Sequence, residues 1–141
     1  MSFLKTTDEF EAELDELVKT VPDVVGLIDA LIDELAADQA LLSTLHLEVP
    51  KWHYGFTPPF EIKRFGECWK SGRSIYSLKP YDEDGHLIAY RVFIAHDIQT
   101  DEYFALTVQP RASCYDTSHP AYRHLCERYD RLNIPATRRF A

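Results

Sequence analysis

The hydrophobic period of this chain changes partway along, and that change constrains its fold more than any other feature. From Phe10 to Leu35, apolar residues recur three and four positions apart, as in Phe10, Leu14, Leu17, Val21 and then Val24, Ile28, Leu31 and Leu35. That is the stripe of an amphipathic helix. From Arg73 to Gln109 the period drops towards two, in β-branched and aromatic runs separated by polar turns, which is the pattern of strands. Helices followed by strands in 141 residues read as a single α+β domain.

The boundaries follow from the punctuation. Ser2–Thr6 is compatible with a short first strand, and Thr6 with Glu9 three residues on forms a capping-box pattern that starts a helix. Pro22 interrupts that helix and opens a second over 22–37, since proline is tolerated only in a first turn. Residues 1–40 therefore read as a short strand and a helical hairpin. Between Leu41 and Gly66, Pro50, Gly55, Pro58 and Pro59 break up Trp52, Tyr54, Phe56 and Phe60, which suggests an irregular connection pinned to the core by its rings. With Lys51, Lys63 and Arg64 among them, the same rings offer stacking platforms for nucleotides. Residues 73–116 read as an antiparallel meander, with a turn at Asp82-Glu83-Asp84-Gly85 and another around Gln99–Asp101. Residues 117–141 carry Tyr122, Leu125, Cys126, Tyr129 and Leu132 at helical spacing, so a C-terminal helix is expected, followed by a tail with Arg138 and Arg139.

Charge divides the chain as the period does. The first 40 residues hold eleven acids against Lys5 and Lys19, whereas the rest hold twelve acids and thirteen bases, for a net charge of −8. Nucleic-acid binding by bulk electrostatics is thereby excluded, because it requires a broad basic face; any such contact must come from a local cluster. The acids of the hairpin read either as a solvated helix face or as a docking surface for a basic partner. Cys68, Cys114 and Cys126 form an odd set without metal-ligand spacing, and reduced thiols in packing roles are expected. No Gly-rich phosphate loop or HExxH pattern is present, so no cofactor and no metal is expected. With no apolar run of membrane-spanning length and no apolar leader at the start, a cytoplasmic protein without a membrane partner is expected.

Within the meander, Ser74–Lys79, Ala89-Tyr90-Arg91-Val92 and Leu106-Thr107-Val108-Gln109-Pro110-Arg111, followed by Cys114-Tyr115, resemble the corresponding strands of the RelE/ParE family of bacterial toxins. The resemblance covers the layout of residues 3–116 and is residue-specific over 73–116. It implies a RelE-like fold, a helical hairpin on a small antiparallel sheet, and a toxin of a toxin–antitoxin system with a cognate antitoxin as partner. In the nuclease branch it further implies metal-independent cleavage of mRNA on the ribosome, in which the ribose 2′-OH attacks the adjacent phosphate. Cations are then needed on the phosphate, and an acid or base to move the proton. Carried over, Arg91 and Arg111 would hold the phosphate, Lys79 would add charge or transfer a proton, and Tyr115 would stack or donate one. Arg73 and His119 would contact RNA, with His124 near enough in sequence to act as acid or base. The chain departs from the family in its acidity, in Ser77 where a second lysine is common, and in a longer C-terminal extension.

Each residue also has a structural reading. Arg91 can pair with an acid across the sheet, and His119 can lead into the last helix. Two further functions compete: inhibition of a protein target such as DNA gyrase on the same fold, and an acidic binding or immunity protein working through the hairpin.

Overall fold

The computed structural model describes residues 3–47 and 58–135. Five strands form one sheet in the order β1-β5-β4-β3-β2, with β1 at Phe3–Thr6, β2 at Phe60–Arg64, β3 at Ile75–Pro80, β4 at Tyr90–Asp97 and β5 at Glu102–Pro110. Helices α1 (Asp8–Leu17), α2 (Pro22–Ala37) and α3 (Gln39–Leu42), with a 3₁₀ turn at Leu45–Leu47, separate β1 from the rest; α4 (Gly66–Lys70) lies between β2 and β3, and α5 (Pro120–Asp130) follows β5. The fold is mixed α+β, as the change of period predicts.

The sheet is larger than the expected meander and is not wholly antiparallel. β2, β3, β4 and β5 pair antiparallel, but β1 lies parallel to β5, Phe3 opposite Glu102 and Thr6 opposite Ala105. A parallel pairing requires a long crossover, and the intervening segment supplies it. Thr6 is spent on this pairing, so the cap falls one residue later than the capping-box pattern predicts: Thr7 Oγ1 accepts the Phe10 N–H at 3.2 Å and donates to the Ala105 carbonyl at 3.0 Å. Pro22 opens α2 as expected, and Gly85 takes the positive φ, +82°, that the β3–β4 turn demands.

In the 41–66 connection expected to be irregular, the 3₁₀ turn at Leu45–Leu47 and β2 form instead, and α4 begins at its end. Five-residue elements leave too short a periodic signal to read, but Phe60 and Phe65 are buried and fix β2 and α4. The readings placed on Lys51, Trp52, Tyr54, Phe56, Arg138 and Arg139 lie outside the described residues.

One apolar layer covers each face of the sheet. Phe10, Leu14, Ile28, Leu31 and Leu35 pack on Leu78, Val92, Ile94 and Ala105. On the other side Phe65, Cys68, Leu125 and Tyr129 pack on Ile75, Phe93, Ala95 and Leu106. All three cysteines are free and buried. No helix among the described residues is long and apolar enough to cross a membrane.

Candidate functional site

Strand alternation decides which residues share a face. Leu78, Val92 and Ile94 belong to the layer beneath α1 and α2, whereas Ile75, Phe93 and Ala95 belong to the opposite one. Ser77, Lys79 and Arg91 therefore fall on the α4–α5 side, with Ser77 opposite Phe93 and also opposite the exposed Lys63 of β2.

The loop after β5 folds back over this face. Cys114 is buried, and Tyr115, 43% exposed, lays its ring edge-on against Phe65 and Phe93, with centroids 5.5 and 6.1 Å apart. Its hydroxyl stands 2.6 Å from Ser77 Oγ. Ser77 thus fixes the phenol by a hydrogen bond.

Arg91 is 3% exposed and pairs with no acid among the described residues. Its Nη1 donates to the carbonyls of Ile88 at 2.7 Å and Tyr90 at 3.0 Å, and its buried Nε has no hydrogen-bond partner among the described residues. A guanidinium cannot shed its proton, so this is a fixed positive charge held under the surface. Lys79 lies beside it, half-buried, and no hydrogen bond or ion pair ties its ammonium to another described residue. Burial first, and then the charges of Arg91 and Lys63, hold the Lys79 amine below the usual lysine range, while Glu61 pulls the other way. The same surroundings act on the Cys114 thiol, which burial pushes up and the cations partly restore.

Arg111 stands at the rim. Its backbone N–H donates to the Ala89 carbonyl at 2.8 Å, and its exposed side chain lines a shallow cleft of about 470 Å³ with Ala89, Tyr90, Pro110 and Ala112. The structure therefore gathers Lys79, Arg91 and Tyr115, adds Ser77 and Cys114, and sets Arg111 at the start of the loop that carries Tyr115.

Arg73 and His119 are engaged elsewhere. The Arg73 guanidinium grips Asp130 with two hydrogen bonds, 2.9 and 3.0 Å, and also donates to Ser71 Oγ, so it clasps α5 to the beginning of β3. His119 caps α5: its Nδ1 accepts the Ala121 N–H at 3.1 Å, which in the neutral ring places the proton on Nε2. His124 is exposed and faces Glu127 at 3.8 Å.

The sequence marks Ser77 only as a departure from the family pattern and Cys114 only as a packing thiol, and neither as part of a site. Alternation places Ser77 on the face of Lys79, but only the return of the 111–115 loop makes it a partner of Tyr115. No family model, curated protein or solved structure matches this chain.

Proposed function

We propose that this chain is a RelE/ParE-like toxin, a metal-independent endoribonuclease that inhibits translation by cleaving mRNA at the Lys79–Tyr115 face. The observation that carries the reading is the Lys79 amine, unpaired among the described residues and held below the usual lysine range beside the buried charge of Arg91. The order of β1, helices and meander supports the family resemblance.

In this mechanism neutral Lys79 takes the proton of a ribose 2′-OH as the 2′ oxygen forms a bond to the adjacent phosphorus. The bond from phosphorus to the 5′ oxygen breaks, and that oxygen receives the Tyr115 proton, leaving a 2′,3′-cyclic phosphate and a 5′-hydroxyl. Arg111, exposed at the rim, holds the phosphate from outside, and Arg91 contributes fixed charge from below. Net acidity disfavours free RNA, so the substrate is mRNA presented by the ribosome in the cytoplasm, and a cognate antitoxin protein restrains the activity.

The test is to add the purified chain to a translating extract and to naked mRNA, then map new 5′-hydroxyl ends. The expected result is cleavage in the extract that Lys79→Met reduces by about 10²–10⁴-fold. Absence of new ends, or equal cleavage by the folded variant, contradicts it.

A second reading is favoured by the acid-lined cleft of about 640 Å³ between α2 and the β3–β4 turn, where Asp23, Asp82, Glu83 and Asp84 surround Leu27. Such a surface suits a basic protein segment, so the alternative is a non-nuclease protein on this fold that inhibits a target such as DNA gyrase, or an acidic binding or immunity protein.

A further inference from the structure

Far from the cationic face, three metal-ligating side chains from separate elements converge. His46 lies in the 3₁₀ turn after α3, His96 near the end of β4, and Asp101 in the β4–β5 turn. One ligand atom from each lies within 4.8 Å of the other two. Arg91 and His96 are five residues apart on β4, about 17 Å at the strand rise, and their side chains point to opposite faces.

We propose that His46, His96 and Asp101 form a binding site for a borderline divalent metal ion such as Zn²⁺. Two imidazole nitrogens and one carboxylate are the donors such ions prefer, and three protein ligands leave one position open. His96 Nε2 and Asp101 Oδ1 stand 2.9 Å apart in a hydrogen bond, and a bound ion would take the place of the proton they share. His96 is buried, and Asp101 holds its carboxylate there from a left-handed backbone, φ 55°, which costs an aspartate some strain.

His46 is oriented by neighbours outside the donor set. Tyr103 Oη lies 2.7 Å from its Nδ1, and Tyr76 donates to its carbonyl at 3.2 Å. An outer partner on one nitrogen, with the other left for the ion, is the usual arrangement around ligating histidines. The rings of His46 and His96 stack with centroids 4.4 Å apart and 12° from parallel, so their in-plane lone pairs run side by side. Ion binding therefore tilts His46, the less buried ring, out of the parallel stack about its hydrogen bond to Tyr103. The bound ion ties the helical segment to the β4–β5 turn.

The experiment uses the full, tag-free chain, stripped with a chelator and titrated with Zn²⁺ by calorimetry at neutral pH, with Co²⁺ absorption as a second readout of the ligand field. The expected result is saturable one-to-one binding, weakened about tenfold or more in Asp101→Asn and in His96→Gln. Asparagine accepts the left-handed φ as aspartate does, so Asp101→Asn keeps the turn should His96→Gln fail to fold. Asp82→Asn is the control, because Asp82, Asp84 and His86 form the other His–carboxylate group among the described residues, and it should bind as wild type does. Failure of the folded wild type to saturate overturns the site. So does wild-type affinity in Asp101→Asn, or loss of binding in Asp82→Asn. None of these readouts involves RNA, so the toxin reading stands or falls separately.

Discussion

Glu13 of α1 and Arg128 of α5 meet 3.1 Å apart at the outer edge of β5, beyond the point where β1 stops covering it. The two helices belong to opposite faces of the sheet, and this pair joins them around its rim. The register of β5 against β4 slips between Phe93 and Ile94, leaving Leu106 as an extra residue. Arg128 donates to the Leu106 carbonyl at 2.9 Å, while Glu13 accepts from Thr107 Oγ1 at 2.8 Å and from the Val108 N–H at 3.2 Å. One carboxylate and one guanidinium thus satisfy the bulge that a neighbouring strand leaves open.

Glu13→Ala is expected to destabilise the fold by about 1–3 kcal/mol, because it strands the Val108 amide and a partly buried arginine. Glu13→Gln keeps an acceptor and should lose less. Urea denaturation of the three proteins measures both, and an alanine variant as stable as wild type rules out this role for the pair.

The Arg73–Asp130 clasp makes a separate prediction. Asp130→Asn should cost about 1 kcal/mol, since the pair is bidentate but partly exposed. If Arg73 works only in this clasp, Arg73→Ala and Asp130→Asn lower the melting temperature alike, and the double variant adds little to either. An Arg73→Ala protein of normal stability with impaired RNA cleavage would return Arg73 to the RNA surface.

Much of this architecture is legible in the residues themselves, and the exceptions have physical causes. Pro22 and the apolar stripe after it fix α2, and Gly85 fixes the β3–β4 turn. β2 and α4 are held by the burial of Phe60 and Phe65 against residues distant in sequence, so local pattern does not announce them. At the site, alternation alone groups Ser77, Lys79 and Arg91, but not the burial of Arg91. Nor does it announce the loop that carries Cys114 and Tyr115 back across the strands to Ser77 and Phe93. Arg73 and His119 carry side chains suited to RNA, and their engagement with Asp130 and the α5 amides is visible only in three dimensions.

The depressed Lys79 amine gives a pH dependence with a definite sign. Its protonated form is disfavoured in the folded chain relative to the unfolded one, so the unfolded state binds the proton more tightly between the two pKa values. Stability then rises with pH through that window, towards the ordinary lysine value of 10.5. Below the window the cost of burying the charge is fully present. Lys79→Met should abolish this alkaline gain in denaturation curves, and a wild type whose pH dependence matches the variant's excludes the shift. In the proposed mechanism, cleavage should likewise rise with pH as the amine loses its proton.

Ser77→Ala removes the 2.6 Å hydrogen bond to Tyr115 and is expected to cost about 1 kcal/mol of stability. Its effect on cleavage should be greater, because it releases the phenol from its position. Tyr115→Phe should retain the ring packing on Phe65 and Phe93 and lose the proton donor. Equal cleavage by all three proteins would exclude the phenol from the reaction.

If the Lys79–Tyr115 face is the working surface of a toxin, as proposed, growth of bacteria on induction of the chain reveals it. Wild type and a Lys79→Met/Tyr115→Phe double variant are expressed to equal levels, with folding of both verified by circular dichroism. The expected result is arrest by the wild type and normal growth with the folded variant. Normal growth with well-expressed wild type, or arrest that survives both substitutions, contradicts it.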